Sequence, residues 1–185
     1  MSLQGALDIV QEFRQTNQDT PVVLMGYLNP IEAYGADAFC DAAKAAGVDG
    51  VLTVDLAVEE ADSLAPHLRA RELAPVFLVA PTTSDARLQQ MSEEGRGYLY
   101  YVSLKGVTGS QQLDVGAVQQ RLEGICQLTS LPICVGFGIN GPEQAAAVAK
   151  ITDGGVVGRA LVNLIAQHAE GQNQMQHALF EAQQA

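Results

Sequence analysis

Apolar positions along this chain follow two rhythms in turn. Leu3, Ala6, Leu7, Val10 and Phe13 recur at steps of three and four, which predicts a helix over residues 3–15. The run TPVVLMGY that follows predicts a short buried strand. The alternation then repeats. Helices are predicted over 36–46, 58–72, 84–94, 115–129, 142–151 and 160–169, and strands in VDGVLTVDL, APVFLVAP, GYLYYVSL, LPICVGFGI and GGVVGRA. A last helix is predicted over 174–184, after a turn at 171–173. Gly47 and Gly95 stand where helices should stop, Ser84 where one should be capped, and Pro142 suits a first helical turn.

The strands are apolar almost throughout, not on every second residue. Such strands are covered on both faces, as in a parallel sheet whose crossover helices pack on either side. Six strand–helix units follow one another without a linker, a low-complexity run or a charge block, so residues 1–185 are expected to form one domain. Two architectures fit this pattern, an open doubly wound sheet and a barrel.

Composition removes some functions. The net charge of −11 argues against nucleic acid and anionic membranes as partners. No apolar run reaches the roughly 18 residues of a membrane span, and the first residues lack the basic-then-apolar pattern of a signal peptide. Cys40, Cys126 and Cys134 form no C-x-x-C pair, so buried thiols in a reducing, cytoplasmic setting are expected. His67, His168 and His177 fall on predicted helices without metal-ligand spacing, so no metal site is expected.

A small anion remains possible, because backbone N–H groups at a helix N-terminus hold phosphate without net positive charge. The last two strands end in Gly136-Phe137-Gly138 and in Gly158-Arg159, with Gly154-Gly155 just before. Glycines at successive strand ends let a backbone approach an anion closely. In a (β/α)8 barrel, phosphate commonly sits after strands seven and eight. A Rossmann site would place its glycines after the first strand instead. Glycine in strand-end turns is also commonplace, so spacing alone leaves a purely structural reading open.

Five segments carry a more specific signal: PVVLMGYLNPIEAYG, GVDGVLTVDLAVEE, GRGYLYYVSLKGVTG, PICVGFGINGPEQ and GGVVGRALV. In this order they resemble the tryptophan synthase α subunit family along essentially the whole chain. The resemblance implies a (β/α)8-barrel fold, here a truncated barrel of about six parallel strands corresponding to strands three to eight. It implies retro-aldol cleavage of indole-3-glycerol phosphate to indole and glyceraldehyde 3-phosphate, in tryptophan biosynthesis. It also implies a partner β subunit in an α2β2 assembly, with pyridoxal phosphate in the β subunit and no cofactor in this chain.

The family's two acid–base carboxylates, a Glu ending strand one and an Asp after strand two, have no counterpart here, so little activity is expected of the chain by itself. By resemblance, Gly109, Gly138 and Gly158 offer backbone contacts to phosphate, with Phe137 between the glycines. Thr108 steadies the catalytic Asp, Tyr100 lies close to the reacting region, and Met25 and Tyr27 line the indole pocket. Arg159 replaces a usual Ser and is expected to face the phosphate. Asp55 ends its strand on the catalytic rim; it is either a weak catalytic candidate or an acceptor that orders a loop. LNPIEAYG would be the retained part of the β-docking surface.

Two alternatives stand beside this reading: an inert phosphate-binding or β-docking fragment, and another phosphate-binding barrel enzyme. The second would need lysine or paired carboxylates at strand ends, where only Asp55 is found, with Lys105 in a loop. Opening a barrel leaves two edges with unpaired N–H and C=O groups. These edges are expected to pair between chains, giving self-association, or to be covered by the N-terminal helix.

Overall fold

A computed structural model of the chain describes residues 2–102, 115–136, 139 and 141–167. Its described residues alternate strand and helix, as the apolar pattern requires. They fall into two compact units, one holding the first three strands and the other most of the rest.

In the first unit, helix α1 (Leu3–Arg14) begins where the Ser2 hydroxyl accepts the Gly5 N–H at 3.1 Å. Strands β1 (Val23–Gly26), β2 (Gly50–Thr53) and β3 (Ala74–Val79) follow in chain order and pair in parallel, with Val23 opposite Gly50 and Gly50 opposite Ala74. Between β1 and β2 lie α2 (Leu28–Tyr34) and α3 (Ala36–Ala46). Gly47 ends α3 in the left-handed region, at φ 91°. Its N–H reaches the Lys44 carbonyl and that of Val48 reaches Ala43, a full Schellman stop. Leu7, Val10, Ile31, Phe39, Val51, Leu64 and Leu68 close the core over these elements.

The predicted helix over 58–72 is two pieces, a 3-10 helix (Val58–Ser63) and α4 (Ala65–Ala70). Pro66 has no N–H to give to the preceding turn, so the first piece stops and a new helix starts with the proline in its first turn. After β3, α5 (Asp85–Glu94) is capped by Ser84 as expected and ends at Gly95. Phe13, assigned to the buried face of α1 by spacing, is partly exposed.

In the second unit, β4 (Leu99–Val102, of which Tyr100–Val102 belong here), β5 (Ile133–Gly136) and β6 (Gly154–Val156) follow in chain order, with β5 and β6 parallel. Helices α6 (Val115–Cys126), α7 (Pro142–Ala149) and α8 (Arg159–Gln167) alternate with them. Leu122, Ile125, Ile133, Val135 and Val148 form its interior. Cys40 is buried and Cys134 half-buried, but Cys126 is exposed at the end of α6, against the expectation of three buried thiols. The predicted helix over 174–184, with His168 and His177, lies outside the described residues.

One device recurs in both units. Asp49 Oδ2 accepts the Val22 N–H at 2.7 Å while the Asp49 N–H reaches the Val22 carbonyl at 2.9 Å. Asp153 does the same with Ile133, at 2.8 and 3.2 Å. Each aspartate precedes the glycine that opens the next strand and clips it to the start of the previous one. Arg14 adds a 2.6 Å ion pair to Asp49, tying α1 to the same corner.

Helices α3 and α4 are joined by charge. Asp37 and Asp41, one turn apart, both pair with Arg71 at 2.7 Å, and His67 Nδ1 lies 2.9 Å from Asp37. Hydrogen bonds from His67 and then Arg71 hold the Asp37 carboxyl below its ordinary value, and Arg71 does the same for Asp41. A carboxylate with a depressed folded-state pKa adds stability above its unfolded pKa, and that stability is lost as pH falls through the folded value. Below about pH 4, the urea midpoint should therefore fall less steeply in an Asp37→Asn, Asp41→Asn double variant than in the parent. Identical acid limbs would contradict this.

Candidate functional site

The residues singled out by sequence lie mostly at the C-terminal ends of strands, and each unit presents its own set. In the first unit, the Asp55 carboxylate accepts the Leu28 N–H at 2.8 Å, and the Val54 N–H reaches the Gly26 carbonyl at 2.9 Å. Asp55 therefore does for α2 what no local residue does. Tyr27 at the helix start offers no side-chain cap, and the first turn holds no acidic residue. A carboxylate on the first N–H groups of a helix satisfies an orphan donor and complements the helix dipole. Beside it, Met25 is 55% and Tyr27 65% exposed.

Sequence reasoning missed α2 altogether. Its start signal is supplied from the following loop, 27 residues away, where a local reading cannot find it. Of α2's residues only Ile31 is buried, so Asn29, Pro30, Glu32 and Tyr34 stand at the surface.

In the second unit, the Tyr100 ring lies against Gly136. A Cβ at Gly136 would fall 1.9 Å from the tyrosine oxygen and 2.2 Å from the ring carbon that bears it. Gly136 is thus required by packing, a role its place in the GFG cluster did not reveal. Tyr100 is buried, and burial followed by the neighbouring Cys134 raises its hydroxyl above the usual tyrosine range. It stays a neutral hydroxyl at ordinary pH, able to donate or accept a hydrogen bond but not to act as a phenolate.

The glycines before α8 divide by surroundings. A Cβ at Gly154 would meet the Cys134 sulfur at 2.9 Å, and one at Gly155 would meet Ile139 at 3.3 Å. Those two serve strand packing. Gly158 has nothing within 4 Å of such an atom, and its carbonyl accepts the Val162 N–H as α8 begins. Its neighbour Arg159, the first residue of α8, is exposed. Thr108, Gly109, Phe137 and Gly138 lie outside the described residues, as does Lys105. Among the described residues no cluster of three His, Cys, Asp or Glu side chains could hold a metal, and no helix is long and apolar enough to cross a membrane.

The packing of Tyr100 on Gly136 makes a double test. Gly136→Ala should lower stability by about 1–3 kcal/mol through overpacking. Tyr100→Phe in the same chain should restore little, because the ring carbon still collides, whereas Tyr100→Leu should restore most of the loss. Urea melts of the three chains check this, and a Gly136→Ala chain as stable as the parent would refute it.

Comparison with known proteins sets this geometry in context. A model of the tryptophan synthase alpha chain family matches residues 1–185. The tryptophan synthase alpha chain of Marinobacter nauticus is 55% identical over 180 residues, 97% of this chain and 67% of its own length. The crystal structure of tryptophan synthase subunit alpha from Legionella pneumophila superposes with a TM-score of 0.85 at 41% identity, covering 94% of this chain and 64% of that one. A structure of the tryptophan synthase α2β2 complex from Pyrococcus furiosus gives 0.85 at 36% identity, covering 96% and 71%. The chain thus spans about two thirds of the length of the relatives it matches.

Proposed function

The chain belongs to the tryptophan synthase alpha chain family, and from that premise we propose that it carries the phosphate-gripping side of the lyase that cleaves indole-3-glycerol phosphate. The family sets its fold class, six parallel strands of the (β/α)8-barrel type with their helices, and its place in tryptophan biosynthesis.

The observation that carries the proposal is the start of α8. Gly158 leaves open space at a helix N-terminus, where N–H groups and the helix dipole favour an anion. We assign the phosphate to the backbone of Gly158 with Gly138 and Gly109, beside Phe137. Arg159 stands at the same turn, and a guanidinium pairs with phosphate in two parallel hydrogen bonds. Tyr100 is assigned a neutral hydrogen-bonding role toward the reacting region, with Thr108 supporting the loop. Met25 and Tyr27 of the first unit are assigned to the indole end.

The reaction needs a proton delivered to indole C3 and one taken from the adjacent glycerol hydroxyl. The two family carboxylates that would do this have no counterpart in the 185 residues, and Asp55 is engaged with Leu28. These 185 residues thus hold the binding side of the family's site without its acid–base pair. We assign a cytoplasmic location, no cofactor of its own, and a partner β subunit that carries pyridoxal phosphate, as in the α2β2 assembly of the family. The exposed helix α2, held by Asp55, is the docking element. The second reading is a binding or docking fragment without activity, which the two-thirds coverage of the relatives favours for the isolated chain.

Arg159→Ala should weaken binding of indole-3-glycerol phosphate by roughly tenfold or more, from the loss of its charge-assisted hydrogen bonds to phosphate, as read by calorimetric titration. An unchanged affinity would remove Arg159 from the site. Indole release by the chain alone should be negligible, and release at the rate of a full-length relative would show that its own residues supply the acid and base.

A further inference from the structure

Helices α3 and α4 end in the same way, near the starts of β2 and β3. After α4, the Glu72 N–H reaches the Arg69 carbonyl at 3.0 Å and the Leu73 N–H reaches the Leu68 carbonyl at 2.9 Å, the stop that Gly47 and Val48 make after α3. Such a stop needs a residue in the left-handed region, which favours glycine. Glu72 fills it at φ 56°, the one non-glycine residue with a positive φ among those described. The glutamate adds little to stability there. Its carboxylate meets Lys44 Nζ at 3.2 Å with the Glu72 side chain 87% exposed. An exposed ion pair contributes little, and the left-handed backbone opposes it by at least as much. Strain kept without a matching gain in stability points to a side chain with another use.

That side chain stands at a cleft of about 420 Å³ lined by Asp49, Arg69, Glu72, Leu73, Ala74 and Arg96, within the size range of small-molecule sites. All of these residues belong to the first unit. Each charged group is anchored by some of its polar atoms and open at the others. Arg69 gives one terminal nitrogen to the carbonyl and the carboxylate of Glu94. Arg96 gives one to the carbonyls of Glu93 and Gly95, at 2.9 and 2.6 Å. Among the described residues, the second terminal nitrogen and the Nε of both guanidinium groups take no partner. Asp49 uses Oδ2 for Val22 and Arg14, and Glu72 uses Oε2 for Lys44. Asp49 Oδ1 and Glu72 Oε1 are open in the same sense.

Two guanidinium groups and two carboxylates select against a ligand of one sign. A simple anion meets Asp49 and Glu72, and a simple cation meets Arg69 and Arg96, each with repulsion. A small ligand that carries both charges avoids either conflict. Guanidinium pairs with a carboxylate through parallel N–H donors. An ammonium brings three donors to carboxylate oxygens. Leu73 and Ala74 offer its carbon skeleton an apolar contact.

We propose that this cleft binds the zwitterion of a free α-amino acid, its carboxylate on Arg69 and Arg96 and its ammonium on Glu72 and Asp49. The cleft lies at strand starts, whereas the residues assigned to substrate lie at strand ends. The proposal therefore stands or falls apart from the phosphate assignment.

The test titrates L-alanine into the full chain, followed through the amide signals of nitrogen–proton correlation spectra. Saturable shifts are expected at residues 49, 72–74 and 96, with millimolar affinity. L-Alaninamide lacks the carboxylate and N-acetyl-L-alanine lacks the ammonium, and each should bind more weakly by roughly tenfold or more. Glu72→Gly removes a carboxylate while supplying the residue that the left-handed stop prefers, so the fold is kept. Glu72→Gly and, separately, Arg96→Gln should weaken alanine binding by roughly threefold or more, while Glu60→Gln, outside the cleft, should not change it. The proposal is overturned if alanine gives no saturable shifts at these amides, if either analogue binds as tightly as alanine, or if either cleft variant binds like the parent.

Discussion

A parallel strand is stable where helices cover its faces and a neighbour takes up the hydrogen bonds of each edge. The first unit shows both sides of that constraint. β2 lies between β1 and β3 and is buried at all four positions. Among the described residues β1 has one strand neighbour, and its last two residues are exposed. The side chains follow the hydrogen bonds: Val51 and Leu52 are 2% and 1% exposed, while Met25, opposite Leu52, is 55% exposed. Residue type does not explain the difference, since Met and Leu are similarly apolar. The number of neighbouring strands does.

Within each unit, what holds neighbouring strands in register is local, and the same device serves both. Asp49 and Asp153 each exchange two hydrogen bonds with the residue at the start of the preceding strand. These clips lie at the strand starts. The opposite ends are left to carry loops, so Asp55, Gly136 and Gly158 serve other purposes. This division of labour agrees with barrels generally, in which one face is given to stability and the other to ligands. Asp55 shows how closely the two can touch: its carboxylate is spent on the first turn of α2, and that short helix is exposed at every other residue but Ile31 and the partly covered Leu28.

The alternation of strand and helix was legible because both-face burial leaves continuous apolar runs, and because single residues mark the helix ends. Gly47 and Ser84 act as local chemistry demands. What escaped was non-local or negative. α2 is capped from a later loop. Pro66 divides the 58–72 segment although alanine, leucine and glutamate there favour one helix. Phe13 fits a buried face by spacing, yet it is 37% exposed, with the Arg14 guanidinium over its ring. The glycine clusters were visible as a feature, but not their division. Gly136 seats a tyrosine ring, Gly154 and Gly155 admit Cys134 and Ile139, and Gly158 alone of these has open space around it. Spacing cannot tell those roles apart, because each depends on a side chain from another element.

The edge of β1 is the point on which the account rests, and amide hydrogen exchange of the free chain reads it residue by residue. Leu24, whose N–H faces β2, should be protected, while Val23 and Met25 on either side should exchange as fast as loop amides. Equal protection of all three would show that the outer edge of β1 is already paired, and would contradict the account.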